Sequence, residues 1–173
     1  MASENAATIW TATTSSRNLP QYLSAAEGGE VSKLEKLVGT WLQVSIDTVA
    51  ADGTKRPLYG ENPKGVVIYT SDGYFSLMQA RADLPKLQSG LPSKATAEEA
   101  KAVIAGSIAY FGTYSLDEAT DILSLDIHAS TLANFIANPE EKRTITSLTD
   151  SELKFTRSFV GGVMLEAVFK RAT

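Results

Sequence analysis

The stretch VVIYTSDGYFSLMQA, residues 66–80, decides the fold class. Two apolar runs, 66–70 and 74–80, flank a turn with Asp72-Gly73, a dipeptide typical of tight β-hairpins. Valine, isoleucine, tyrosine and phenylalanine are frequent in both runs, and these residue types favour strands. The stretch therefore predicts two antiparallel strands joined by a hairpin.

Seven further runs of the same kind lie on either side of this hairpin. They are 40–49 and 54–59 before it, and 107–115, 122–129, 142–148, 153–159 and 163–169 after it. Turn residues such as Asp52-Gly53 and Asn62-Pro63 separate several of the runs. Nine short strands with frequent turns predict a mainly β protein, either an antiparallel sandwich or a barrel.

Two helices are predicted among these strands. Ser32-Lys33-Leu34-Glu35 and Thr96-Ala97-Glu98-Glu99 both have the capping-box pattern that starts a helix. The first helix is short, because Gly39 ends it. The second, over 97–105, lies in a long break between strands, and connections of more than about 12–15 residues are usually functional. We expect it to lie across the barrel as a lid.

Composition excludes several classes of function. The 173 residues predict one domain over 32–173, preceded by an arm over 1–31. A net charge of −4 without a basic cluster argues against nucleic acid, and no apolar run is long enough for a membrane-spanning helix. With no cysteine and one histidine, thiolate and multi-histidine metal sites are excluded. We expect no cofactor and, because no secretory signal is present, a cytoplasmic protein.

Several segments resemble a known family. They are Leu37–Trp41, Pro57–Gly60 with Gly65, Ile68–Ser76 and Ile108–Tyr114. In this order, with a capped helix before the last, they are similar to the microbial lipocalin-like domain family over about residues 34–170. The resemblance implies a closed antiparallel barrel of about 8–10 strands around an internal cavity. Related barrels include passive carriers as well as cofactor-free cyclases and isomerases.

The resemblance also implies that Trp41 closes the base of the barrel. Side chains alternate faces along a strand, so Gln43 and Ser45 would then line the interior with Trp41. Tyr110 and Tyr114 share one face of their strand, where they are either core or hydrogen-bond donors to a ligand carbonyl. Further candidates for the wall, on faces that the pattern does not resolve, are Tyr69, Ser76, Met78 and Gln79.

An arginine on an apolar face marks the strand over 153–159. Arg157 alternates in phase with Phe155 and Phe159, and a buried guanidinium is costly without a partner. It either reaches water or a structural carboxylate at the rim, or it anchors a carboxylate, enolate or phenolate of a ligand. The charges at Glu140-Glu141 and Lys142-Arg143 are predicted to be solvated.

Asp126 and His128 form a second candidate site. They alternate with Leu125 and Ile127, so the hydrophobic pattern points both polar side chains to solvent. If the strand instead turns its polar face inward, the carboxylate and the imidazole form a candidate general base.

The sequence predicts that the barrel binds a small, largely apolar molecule, aromatic or like a polyketide or terpenoid. One hypothesis is a cofactor-independent isomerisation, cyclisation or lyase step in secondary metabolism; its candidate catalytic residues are His128, Asp126, Arg157 and Tyr110. The alternatives are a non-catalytic carrier, or a structural barrel filled by Trp41, Phe155 and Phe159. Aromatic residues in the arm also indicate a homodimer.

Overall fold

The computed structural model describes residues 31–136, 138, 141–159 and 161–173, so the predicted arm lies outside them except for Val31. Nine antiparallel strands correspond to the nine predicted runs. They are β1 (Gly39–Val49), β2 (Lys55–Pro57), β3 (Lys64–Tyr69), β4 (Tyr74–Ala80), β5 (Ser107–Asp117), β6 (Ile122–Ser130), β7 (Lys142–Leu148), β8 (Glu152–Ser158) and β9 (Met164–Arg171).

The sheet closes into a barrel, as predicted. Its order is β2-β1-β3-β4-β5-β6-β7-β8-β9, and β1 also pairs with β9 from Trp41–Arg171 to Val49–Met164. Eight strands therefore form the ring. Strand β2 pairs only with the last residues of β1 and stands beside the ring as an extra strand. Closure leaves fewer exposed sheet edges that could pair with other chains.

Among the described residues, two α-helices accompany the barrel, α1 (Lys33–Leu37) and α2 (Ala97–Gly106), and both begin with the predicted capping box. Short 3-10 turns occur at Pro92–Lys94 and Ala133–Phe135. In the part of the chain that the structure describes, no helix combines the length and apolarity needed to cross a membrane.

Helix α1 closes one end of the barrel, which we call the base. The Trp41 indole Nε1 donates to the Leu37 carbonyl oxygen at 2.8 Å, and the Arg171 guanidinium lies 4.1 Å from the centre of the Trp41 ring. The side chains packed there have no solvent exposure: Leu37, Trp41, Val67, Leu123, Leu153 and Phe169. Trp41 thus closes the base, as the resemblance implied.

A β-bulge in β1 changes which residues face the interior. Gln43 pairs with Phe169 and Ser45 with Val168, so Val44 is an extra residue in β1. The bulge shifts the alternation by one position, and Ile46 rather than Ser45 turns inward, with 3% exposure. The prediction that Ser45 lines the interior is therefore wrong.

A second bulge places a residue of β6 outside. Phe111 pairs with Ala129 and Gly112 with Ile127, which leaves His128 as the extra residue. The strands approach so closely here that a Cβ at Gly112 would lie 1.8 Å from the Asp126 carbonyl oxygen. Only glycine fits this position, and both His128 and Ala129 lie on the outer surface.

Candidate binding cavity

The barrel is not filled at the end opposite α1. A cavity of about 100 Å³, open at its mouth, lies there. Its sides are mainly apolar, formed by Ile46, Leu77, Ile108, Phe155 and Leu165, and Leu58, Phe135 and Phe159 lie toward its open end. Although α2 forms where a lid was predicted, the cavity wall takes no residue from it.

Three charged side chains meet at one wall of this cavity, and we call them the arginine cluster: Glu141, Arg143 and Arg157. Glu141 is 1% exposed and Arg143 4%, so both are buried. Arg143 Nη2 lies 3.1 Å from Glu141 Oε2, and Arg157 Nη2 contacts Glu141 Oε1. The Asn138 side-chain amide also donates to Glu141 Oε1 at 3.2 Å. One carboxylate thus serves two guanidinium groups.

The Arg157 guanidinium lies close to two aromatic rings. It lies 5.1 Å from the Phe135 ring centre and 4.4 Å from the Phe159 ring centre. Burial, together with the neighbouring Arg143 charge, lowers the pKa of Arg157. The cost of burying this cation is therefore only partly offset by Glu141.

Tyr110 lines the cavity and is hydrogen-bonded to the arginine cluster. Arg143 Nη2 donates to the Tyr110 hydroxyl oxygen at 3.3 Å, which leaves the hydroxyl hydrogen of Tyr110 for another acceptor. Tyr59 also lines the cavity, and burial raises its pKa to about 12. Tyr59 is consequently uncharged at neutral pH and can donate a hydrogen bond.

Two buried glutamine side chains lie on the side of the barrel opposite the arginine cluster; Gln79 lines the cavity and Gln43 does not. Gln43 on β1 and Gln79 on β4 lie on either side of Gly65 on β3, and a Cβ at Gly65 would lie 2.1 Å from Gln43 Oε1. Gln43 is 8% exposed and Gln79 4%. Both amide atoms of Gln43, and Nε2 of Gln79, have no hydrogen-bond partner among the described residues. Buried polar atoms are nearly always paired, so this wall is suited to a guest with polar groups.

The predicted wall residues divide between the inside and the outside. Tyr110, Phe155, Arg157 and Phe159 line the cavity, while Phe159 remains 39% exposed toward its mouth. Tyr69 and Tyr114 pack nearer the base with their rings 5.0 Å apart, and the Tyr114 hydroxyl donates to the Thr70 carbonyl oxygen. Ser76 and Met78 point outward, because the inward positions of β4 are Phe75, Leu77 and Gln79.

Asp126 and His128 lie outside the barrel, away from the cavity. Leu123, Leu125 and Ile127 occupy the inward positions of β6, so the plain hydrophobic pattern places this strand correctly. His128 Nε2 is 3.7 Å from Asp126 Oδ2, and its ring faces Tyr74 and Phe111 on the outer surface. The alternative in which β6 turns its polar face inward does not match this geometry.

Sequence reasoning missed Glu141 and Arg143, which it placed in solvent. A signal for Arg143 was present, because Arg143 alternates in phase with Ile145 in the strand 142–148. Glu141 precedes that strand and carried no such signal. Its burial depends on the two arginines that reach it from β7 and β8. Within the described ranges, no group of three or more metal-binding side chains occurs.

Comparison with known proteins gives one family and several distant folds. Residues 38–158 match the lipocalin-like domain. Similar solved structures include a redesigned β-barrel, 15% identical over 82% of this chain and 96% of that chain, with a TM-score of 0.40. A de novo designed fluorescence-activating β-barrel is 10% identical over 83% of this chain and 100% of its own, with a TM-score of 0.40. The protein EF1p2_mFAP2b bound to DFHBI is 14% identical over the same shares, again with a TM-score of 0.40.

The structural matches say less about this chain than the family match does. TM-scores of 0.40 carry no argument about this chain's ligand, and no curated protein matches it. The family match is of another kind, since it spans most of the chain and eight strands close into the barrel that the family implies. The chain belongs to the lipocalin-like domain family.

Proposed function

We propose that this protein binds a small, largely apolar molecule in the cavity at the open end of its barrel. The observation that carries the proposal is the cavity itself. It is lined mainly by aliphatic and aromatic side chains and holds a few polar groups in fixed places, the combination that small-molecule sites usually have. A barrel with a purely structural role would gain stability by filling this space.

The proposal is tested with a neutral fluorescent probe, N-phenyl-1-naphthylamine. We expect a saturable rise in fluorescence with one site per chain. Leu77 and Met78 are neighbours on β4, of which the first faces the cavity and the second faces solvent. Leu77→Trp should therefore block the probe, and Met78→Trp should not. Probe binding that survives Leu77→Trp in a folded variant would place the site elsewhere.

Mass spectrometry of small molecules released from the purified protein tests the same proposal without a chosen probe. An apolar compound should be released from the wild-type protein at up to one molecule per chain. The Leu77→Trp variant should release little of it, whereas the Met78→Trp variant should release as much as the wild-type protein. Equal release from all three would mean that the compound is bound outside the cavity.

A second candidate function is catalysis of a cofactor-independent isomerisation, cyclisation or lyase step on this ligand. It is favoured by the Tyr110 hydroxyl, which Arg143 holds in place at the cavity wall. Donors that are oriented before the reaction stabilise charge that develops on a substrate oxygen. Holding a flexible substrate near its reactive shape also lowers the barrier. A non-catalytic carrier would use the same cavity without turnover.

Turnover separates the enzyme from the carrier. The enzyme hypothesis expects that the released ligand, or its precursor, is converted by the wild-type protein. Tyr110→Phe should then slow conversion by about 10²–10⁴-fold, a much larger change than in the dissociation constant of the ligand. Tyr59→Phe removes another cavity hydroxyl and serves as the matched control. If the wild-type protein binds the compound but leaves it unchanged over hours, the carrier is the better description.

A homodimer is a separate proposal. On the outer face, Leu42 pairs with Val66 and Val66 with Met78, which forms an apolar row across three strands. Leu42 is 39% and Met78 55% exposed, and a second copy of the chain would cover them. Sedimentation equilibrium should report twice the chain mass of 18.5 kDa, and Met78→Lys should return it to one. A single-chain mass at all concentrations would reject the dimer.

A further inference from the structure

We propose that the ligand of this cavity is an organic anion, an aromatic or otherwise apolar molecule whose carboxylate lies against Arg157 and Tyr110. The proposal rests on the binding function above and adds the chemical class of the ligand. It follows from the charge balance of the arginine cluster, from atoms that have no partner, and from the position of both at the cavity wall.

The arginine cluster carries an excess positive charge. Glu141 brings one negative charge, and Arg143 and the partly buried Arg157 bring two positive charges, which leaves a net charge of plus one at this wall of the cavity. No other charged residue in the described part of the chain lines the cavity. Because an uncompensated charge is costly in a low-dielectric interior, an anion entering the cavity stabilises the cluster.

Hydrogen-bond donors remain where such an anion would bind. Arg157 Nε is buried and has no hydrogen-bond partner among the described residues. The Tyr110 hydroxyl accepts from Arg143, so its own hydrogen is free to be donated. The rings of Phe135 and Phe159 both lie close to the Arg157 guanidinium. A guanidinium edge with a neighbouring hydroxyl matches the paired oxygens of a carboxylate.

The other side chains that line the cavity indicate which groups the rest of the ligand carries. Between the arginine cluster and the opposite wall lie apolar side chains, among them Ile46, Leu77 and Leu165. Across from the cluster, Gln79 Nε2 is buried without a partner and lines the same cavity. A fitting molecule has a carboxylate at one end, an apolar body, and a hydrogen-bond acceptor such as a carbonyl or hydroxyl oxygen at the other end.

Two matched probes test the sign of the charge. 2-Naphthoate carries a carboxylate, and 2-naphthamide is its neutral counterpart of nearly the same shape. Each displaces N-phenyl-1-naphthylamine from the wild-type protein, and the ratio of their dissociation constants is the readout. We expect 2-naphthoate to bind about ten- to a hundredfold more tightly, the range that a hydrogen bond to a charged group contributes.

Variants assign this preference to Arg157. Arg157→Gln should reduce the ratio to about one, and Arg157→Lys, which keeps the charge without the planar fork, should give an intermediate ratio. Arg81→Gln makes the same charge change on the surface, where Arg81 pairs with Asp83, and should leave the ratio unchanged. Circular dichroism establishes that each variant is folded, and Arg157→Lys serves the test if Arg157→Gln does not fold.

The outcomes separate the two proposals. If both naphthalene compounds bind equally well, the anion proposal is overturned while the binding function stands. If neither they nor the fluorescent probe bind, the binding function itself fails. If Arg157→Gln weakens both compounds to the same degree, Arg157 has only a structural role, and the anion proposal is again overturned.

Discussion

The two ends of this barrel are built from the same eight strands but differ in whether their buried polar atoms have hydrogen-bond partners. At the base, Trp41 Nε1 donates to Leu37, and Arg171 donates to backbone carbonyls of Val38 and Asp150. At the open end, Arg157 Nε and Gln79 Nε2 are equally buried and have no partner in the described structure. The base is therefore a completed core, whereas the open end keeps buried polar atoms without partners in the described structure.

The difference teaches where stability and function lie in this fold. Buried polar atoms with partners stabilise the folded chain, and buried polar atoms without them lower its stability. A protein can retain such unpaired polar atoms where a bound ligand supplies the missing hydrogen-bond partners. We therefore expect substitutions at the base to change folding, and conservative substitutions at the open end to change ligand binding.

Trp41→Ala should have the largest effect on stability. Removing a fully buried indole leaves a cavity, and such truncations cost about 3–5 kcal/mol. Phe159→Ala, at the mouth of the cavity, removes a ring that is already 39% exposed and should cost about 1 kcal/mol or less. Urea unfolding followed by tryptophan-independent far-UV circular dichroism measures both. Equal losses would contradict the division between base and open end.

Glu141→Gln should be the most damaging conservative change at the open end. It leaves the buried Arg143 and the partly buried Arg157 without a counter-charge, and breaking the buried Arg143–Glu141 pair costs about 3 kcal/mol or more. Glu166→Gln, which breaks an exposed pair with Lys55, is the control and should cost less than about 1 kcal/mol. Adding 2-naphthoate should restore part of the loss in Glu141→Gln, as a ligand that binds only the folded state does.

The fold was predictable because local signals agreed with the global architecture. Each of the nine runs carries its own strand pattern, and both helices carry a capping box. Alternation alone placed Arg157 on the apolar face of its strand, in phase with Phe155. Where alternation runs unbroken from base to mouth, the sequence therefore predicts which side chains line the interior.

The site was only partly predictable because bulges and distant partners leave no periodic signal. The bulge at Val44 moved Ser45 outward, and the bulge at His128 depends on how β5 and β6 pair. Glu141 stands outside any strand, and its burial follows from arginines on β7 and β8 that are close only in the folded barrel. Such features depend on strand pairing, which one sequence does not determine.

Removal of a side-chain polar group should change the free energy of unfolding in opposite directions at the two ends of the barrel. Gln79→Met replaces a buried, unpartnered amide by an apolar chain of similar length and should stabilise the folded protein by about 1 kcal/mol. Tyr114→Phe removes a hydroxyl that donates to the Thr70 carbonyl oxygen near the base and should destabilise it by about 1 kcal/mol. Urea midpoints measured on both variants test the signs, and two losses of similar size would show that Gln79 is satisfied after all.

His128→Ala should have the smallest effect, on stability and on binding. His128 is an extra residue on the outer surface, its ring faces Tyr74 and Phe111, and it lines no part of the cavity. Removing an exposed side chain away from special features changes stability by about 0.5 kcal/mol or less. Asp126→Asn, its neighbour on the same face, should behave alike. Displacement of N-phenyl-1-naphthylamine by 2-naphthoate is the decisive measurement: if His128→Ala abolishes it in a folded protein, the outer face takes part in binding, and the unpartnered atoms at the open end are not the reason for the site.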